Sequence, residues 1–217
     1  MKIVMICGSP RPKNSTSLYL LNAVKEKLEN SNEICVYHAL NKSVLKPLLE
    51  NLPGSNALVI ACPLYVDSIP SNLLEVLAGL EEAGRRKLEN TKLYLLVNNG
   101  FYDAAQNGIA IDMLWDWCDK CGLQRGCAVG IGAGEMVQAM PLGKGPMNRL
   151  GKAVVQLAHD IQAGNSRETV FIEPNFPRVL YRMAGHIGWR KHAKRNGLKA
   201  SELRRKEAGG TETAFKK

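Results

Sequence analysis

The segment Gly8–Ser17 sets five side chains with hydroxyl or amide groups, Ser9, Asn14, Ser15, Thr16 and Ser17, beside two cations, Arg11 and Lys13. It lies between an apolar run and a helical one. Donors in such a place converge with the free N–H groups that every helix N-terminus leaves unpaired, and the helix dipole favours negative charge there. A terminal phosphate is the natural guest. The loop lacks the Gly-Lys-Ser/Thr of a Walker P-loop, and it lacks G-x-G-x-x-G, so neither a nucleoside triphosphate nor a Rossmann dinucleotide is indicated. The same residues also allow a plainer account, in which Ser15 caps the helix and the rest is solvated loop.

Two further polar stretches follow apolar runs: Pro63–Pro70 and Asn98–Tyr102. Other reactive side chains make no comparable grouping. His38, His159, His186 and His192 are scattered, so no acid–base triad or metal set is visible. Cys118 and Cys121, with Cys127 beyond, lack a local fourth ligand. They fall at the C-terminal end of a helix, where the dipole does not favour a thiolate. Cys7, Cys35 and Cys62 each fall in an apolar run, as small buried residues do. Trp115 and Trp117 flank Asp116, either as core packing or as the wall of a subunit groove.

The elements that must position these loops alternate regularly. Strands are expected at Lys2–Cys7, Ile34–Ala39, Ala57–Cys62, Lys92–Val97 and Ala128–Ile131. Helices are expected at Ser15–Glu29, Val44–Leu52, Ser71–Ala83, Gln106–Cys121 and Asn148–Ala163. Thr169–Glu173 reads as a small edge strand at most. Five alternations imply an α/β fold: an open parallel sheet with helices on both faces. Ligands of such sheets bind beyond the carboxyl ends of the strands, where the strand order reverses. The three polar loops follow the first, third and fourth strands.

Gly8-Ser9-Pro10-Arg11 followed by Asn14-Ser15-Thr16-Ser17 resembles the phosphate loop of the NADPH-dependent FMN reductase branch of the flavodoxin-like superfamily. Pro63-Leu64-Tyr65-Val66-Asp67-Ser68-Ile69-Pro70 is similar to that branch's second motif, and Asn98-Asn99-Gly100-Phe101-Tyr102 to its third loop. The resemblance implies a flavodoxin-like sheet of five strands in the order 2-1-3-4-5, with FMN as cofactor and NADH or NADPH as electron donor. Ser9, Arg11, Asn14, Ser15, Thr16 and Ser17 would hold the ribityl phosphate. Pro63, Leu64, Tyr65, Val66 and Asp67 would flank the isoalloxazine, and Asn98, Asn99, Gly100, Phe101 and Tyr102 would border its pyrimidine side. The flavin carries the chemistry in such enzymes, so no catalytic side chain and no metal is expected. The implied activity is transfer of electrons to a small acceptor: a quinone, an azo or nitro compound, a metal ion or free flavin. A flavodoxin-type carrier that docks on redox proteins is the alternative. A homodimer is expected, since related proteins complete the flavin pocket at a subunit interface.

Charge separates the chain into parts. The net charge is +9, yet residues 1–175 carry 17 basic and 17 acidic side chains, while residues 176–217 carry 12 and 3. The expected division is a flavin-binding domain over 1–168, a basic amphipathic arm over 169–205 and a disordered tail over 206–217. In Phe176–Leu198, Val179, Leu180, Met183, Ile187 and Trp189 alternate with Arg178, Arg182, Arg190, Lys191, Lys194 and Arg195. Such an arm can dock on its own body or a partner subunit, make peripheral contact with a membrane surface, or neutralise nucleic-acid phosphates. Nucleic acid is the least expected of the three. No apolar run reaches the roughly 18 residues of a membrane span, and the N-terminus does not read as a secretory signal. A cytoplasmic location is the expectation.

Overall fold

The computed structural model describes residues 1–84, 88, 90–199 and 201–204. The expected tail over 206–217 lies outside the described residues. Two units are distinguished, Met1–Asn175 and Phe176–Lys217.

The first unit is built on a wholly parallel sheet in the order β2-β1-β3-β4-β5-β6. Its strands are β1 (Lys2–Cys7), β2 (Glu33–His38), β3 (Ala57–Pro63), β4 (Lys92–Asn98), β5 (Gln124–Ile131) and β6 (Val170–Ile172). The flavodoxin-like order 2-1-3-4-5 is therefore present, and a sixth strand extends it. The short run Val170–Ile172 pairs with Val129–Ile131. Phe171 packs where a Cβ on Gly130 would come within 2.6 Å of its ring, so the glycine makes room for the added strand.

Central strands are apolar at nearly every position because both faces are covered. Val4, Ile6, Leu58, Ile60, Leu93, Leu95 and Val97 point to one face. Ile3, Met5, Val59, Ala61, Tyr94 and Leu96 point to the other, as the two-residue period of a strand requires. The helices are α1 (Thr16–Leu28), α2 (Leu45–Asn51), α3 (Ser71–Gly84), α4 (Gly108–Lys120), a single turn α5 (Gly134–Val137) and α6 (Asn148–Ala163). α1 and α6 cover the second face through Leu20, Leu21, Val24, Leu150, Val154 and Leu157. α2, α3 and α4 cover the first through Leu48, Leu73, Leu77, Ile111 and Leu114. α4 begins later than the sequence pattern suggests, because Ala104–Asn107 forms a 3-10 turn ahead of it.

Both Trp115 and Trp117 are buried in that first core, and the Trp117 indole N–H donates to the Leu77 carbonyl at 3.0 Å. Cys118 and Cys121 are buried as well, the Cys118 thiol donating to the Leu123 carbonyl at 3.6 Å. Burial, with the neighbouring Asp119 carboxylate, pushes the Cys118 thiol up to about 12. Among the described residues, no three His, Cys, Asp or Glu side chains are placed to hold a metal ion. No helix there is long and apolar enough to cross a membrane.

The second unit contains α7 (Arg178–Arg195), closed at its C-terminal end by Leu198 N–H donating to the Ala193 carbonyl. Gly197, at φ 77°, supplies the left-handed residue that lets the chain turn back.

Candidate functional site

The carboxyl ends of β1, β3, β4 and β5 meet in one cavity of about 190 Å³. Ser9, Arg11, Ser15, Thr16 and Ser17 line it from the first loop, and Pro63, Leu64 and Tyr65 from the second. Asn98, Asn99 and Gly100 line it from the third. The remaining expected residues, Asn14, Val66, Asp67, Phe101 and Tyr102, are not in its wall. Gly134 and Glu135 are, from a loop the sequence pattern did not single out.

The first loop is held by its own side chains. Ser9 Oγ accepts from the Arg11 N–H at 3.2 Å, and Ser15 Oγ caps α1 by accepting from the Leu18 N–H at 3.2 Å. Ser15 is thus both the cap that the plainer account demanded and part of the cavity wall. Ser9, Ser15 and Ser17 are buried; Arg11 and Lys13 are exposed, Arg11 at the cavity wall. Asn14 takes a left-handed conformation, φ 54°, which asparagine tolerates well. Beneath the loop, the Asn72 carboxamide donates to the Gly8 carbonyl at 3.2 Å and also to that of Ala39.

The second loop ends in a tight turn. Tyr65 and Ser68 exchange backbone hydrogen bonds of 2.8 and 3.0 Å, and both residues between them, Val66 (φ 49°) and Asp67 (φ 56°), are left-handed. Two positive φ values make this a mirror-image turn of the hairpin type, normally the place of Asn or Gly. A β-branched valine there is strained. The residue is 98% exposed, so nothing among the described residues rewards the strain.

The third loop contributes two buried carboxamides. Asn98 Oδ1 accepts from the Ser17 hydroxyl at 2.8 Å. The Asn99 amide donates to the Asp103 carbonyl at 3.1 Å, which fixes the side chain and leaves Oδ1 buried with no partner among the described residues. Tyr102 turns away, its hydroxyl donating to the Pro174 carbonyl at 3.3 Å. Phe101 is 61% exposed beside the cavity mouth.

The fourth loop, after β5, clamps the others. Ala133 N–H donates to the Phe101 carbonyl, and Gly134 N–H to that of Asn99 at 2.7 Å. Thr16 Oγ1 donates to the Gly134 carbonyl at 3.1 Å, and Gln138 reaches back to Thr16 Oγ1 and the Asn14 carbonyl. A Cβ at Gly132 would lie 2.2 Å from the Tyr102 carbonyl oxygen, so only glycine permits this approach. Gly130–Gly134 is visibly glycine-rich in the sequence. It carries no polar side chain, however, and its part in the site is played by backbone and by absent side chains.

Hydroxyls and a helix N-terminus suit a phosphate, and Arg11 at the rim adds charge. The orphaned Asn99 Oδ1 asks for something different: a buried acceptor needs a donor, such as an imide N–H or a hydroxyl, which a phosphate dianion does not offer. The site therefore fits a ligand with a phosphate at one end and donor groups at the other. The cavity is smaller than the roughly 300–1,000 Å³ that encloses a whole drug-sized ligand. Part of such a ligand must lie outside it, beside the exposed rings of Tyr65 and Phe101.

Residues 1–106 match the model of the NADPH-dependent FMN reductase family. They include β1 to β4 and all three loops expected to hold the cofactor. The match supports a flavin-dependent reductase that takes FMN as cofactor and NAD(P)H as donor. Among solved structures, an NADH:FMN oxidoreductase (EMOB, apo form) is similar at 16% identity and TM-score 0.59, over 77% of this chain and 91% of that one. An FMN-dependent NADH-azoreductase from Bacillus anthracis str. Ames Ancestor, in complex with FMN, is similar at 15% identity and TM-score 0.54, over 73% and 98%. A flavodoxin from Streptococcus pneumonia TIGR4 is similar at 14% identity and TM-score 0.54, over 75% and 99%. At these identities the likeness is one of fold. No curated protein matches the sequence significantly.

Proposed function

We propose that this reductase binds FMN in the cavity at the carboxyl ends of β1, β3, β4 and β5 and passes electrons from NAD(P)H to a small acceptor. The acceptor classes are a quinone, an azo or nitro compound, a metal ion or free flavin. The observation that carries the placement is one cavity that brings the hydroxyl residues Ser9, Ser15, Thr16 and Ser17 at the N-terminus of α1 together with Asn98 and Asn99, the latter with an unpartnered buried Oδ1.

In this reading Ser9, Ser15 and the first-turn N–H groups of α1, those of Thr16 and Ser17 among them, hold the phosphate, with Arg11 and Asn14 at its solvent side. Asn98 and Asn99 fix the pyrimidine edge, Asn99 through its free oxygen and Asn98 through its tie to Ser17. Pro63, Leu64 and Tyr65 form one wall of the ring site, extended by the turn at Val66 and Asp67. Gly100, Phe101 and Tyr102 form the other border. When bound, the flavin supplies the hydride chemistry at its N5. The chain itself supplies binding, orientation and exclusion of water from one ring face, and no histidine stands in the three loops to relay protons. A homodimer is part of the proposal, since a cavity of about 190 Å³ is too small to enclose a whole flavin within a single chain.

The test is anaerobic titration of purified protein. It should bind FMN and lose its visible flavin absorbance on addition of NADPH or NADH, and an acceptor panel should then restore the colour. Bleaching by dithionite alone would replace the enzyme with an electron carrier. A protein that takes up no FMN would end both readings.

A further inference from the structure

The second unit holds one long helix, α7. Arg178–Arg195 contains six lysine or arginine residues and no acidic residue. Val179, Leu180, Met183 and Ile187 are spaced to share one face, and its own unit leaves them uncovered, with Val179, Met183 and Ile187 each more than half exposed. Arg190 and Lys194 lie seven residues beyond Met183 and Ile187, two turns further along the same face. Apolar and cationic side chains therefore project in one direction.

That combination selects among surfaces. A protein core laid on this face would have to bury Arg190 and Lys194, and buried cations need partners. The described part of the second unit holds one acidic residue, Glu202, whose carboxylate accepts from the Lys199 N–H. The first unit, with 17 acidic and 17 basic residues, has no net negative charge to offer. Nucleic acid would satisfy the cations but leave the aliphatic row in water. An anionic bilayer surface satisfies both: aliphatic side chains enter the acyl boundary while arginine and lysine extend to the phosphates.

We propose that α7 is an interfacial helix that docks this enzyme on membranes rich in anionic phospholipid, through Val179, Leu180, Met183 and Ile187 together with Arg190 and Lys194. The contact is peripheral and reversible, since a single basic helix with one aliphatic row lies in the interface without spanning it.

The test uses the full-length protein with vesicles of phosphatidylglycerol and phosphatidylcholine in equal parts, against vesicles of phosphatidylcholine alone. Co-sedimentation is expected with the first and not the second, and should be lost in about 1 M salt, where screening acts within about 3 Å. Met183→Glu with Ile187→Glu should abolish binding. Arg190→Gln with Lys194→Gln should weaken it roughly thirtyfold, about fivefold for each cation removed. All four positions are far in sequence from the flavin loops, so FMN affinity should be unchanged and shows that each variant is folded. Binding to neither vesicle, equal binding to both, or binding retained by the double glutamate variant would overturn the proposal. So would a fall in oligomeric state caused by that variant, which would place the row at a subunit contact. Binding to duplex DNA lost with Arg190→Gln and Lys194→Gln, where vesicles fail, would overturn it in favour of nucleic acid.

Discussion

Ser17, in the first turn of α1, donates its hydroxyl to Asn98 Oδ1 at 2.8 Å, so two buried side chains 81 residues apart tie the phosphate loop to the end of β4. The bond makes the two loops one object. Ser17→Ala is predicted to cost about 1–3 kcal/mol of stability, the penalty for leaving a buried acceptor without its donor. It should also weaken FMN binding, because Asn98 loses its restraint and the first and third loops lose their tie. Equilibrium unfolding without flavin and an FMN titration separate the two effects. Equal stability of variant and parent would show that the bond is not formed in solution.

The left-handed valine at the tip of the second loop gives a prediction of opposite sign. Val66 is strained and almost wholly exposed. Val66→Asn should raise stability by about 0.5–1 kcal/mol, since asparagine accepts φ near 50° at much lower cost. If the valine is kept for contact with the flavin, the same variant should bind FMN more weakly. A variant that gains stability and keeps full affinity would remove Val66 from the site.

Why some of this was legible in the sequence is a matter of which physics leaves a local trace. The five parallel strands and the first three loops were readable because apolar runs end at polar residues in Cys7–Ser9, Cys62–Tyr65 and Val97–Asn99, so strand ends and loop chemistry coincide, whereas the order 2-1-3-4-5 came from the family resemblance alone. β6 left only a faint trace: three residues, stabilised by the absence of a side chain at Gly130. Gly134 and Glu135 left less. The loop after β5 works through the Ala133 and Gly134 N–H groups and through space at Gly132, and neither is written in residue type alone. Nor could pattern show that Asn99 donates to Asp103 and keeps its oxygen free.

Alkaline pH should find a weak point in the core. Cys62 is fully buried in β3, and burial, reinforced by nearby Cys7, pushes its thiol from an ordinary value of 9.0 up to about 12. The native state thus keeps this proton where the unfolded chain releases it. The contribution is constant below pH 9 and is lost between 9 and 12, at about 1.4 kcal/mol per pH unit. Denaturant melts at pH 8, 9 and 10 should show this slope in the parent and a flatter one in Cys62→Ala. The same slope in both proteins would falsify the assignment to Cys62.

The last prediction concerns a buried carboxylate remote from the flavin loops. Asp160, 2% exposed near the end of α6, accepts at Oδ1 from Arg167 (3.0 Å), Gln156 (3.1 Å) and Asn165 (3.3 Å), while its backbone carbonyl accepts from the Tyr94 hydroxyl at 3.2 Å. Arg167 is about half exposed, at 49%. The two partners are therefore unequal. Asp160→Asn keeps an oxygen for the donors and frees an arginine that can turn to water, so it should cost about 1–2 kcal/mol. Arg167→Leu instead strands a buried carboxylate without its counter-charge and should cost more, about 3 kcal/mol or above. Urea melts of both variants test the ordering. A larger loss from Asp160→Asn than from Arg167→Leu would mean that hydrogen bonding, and not the burial of charge, governs this end of α6.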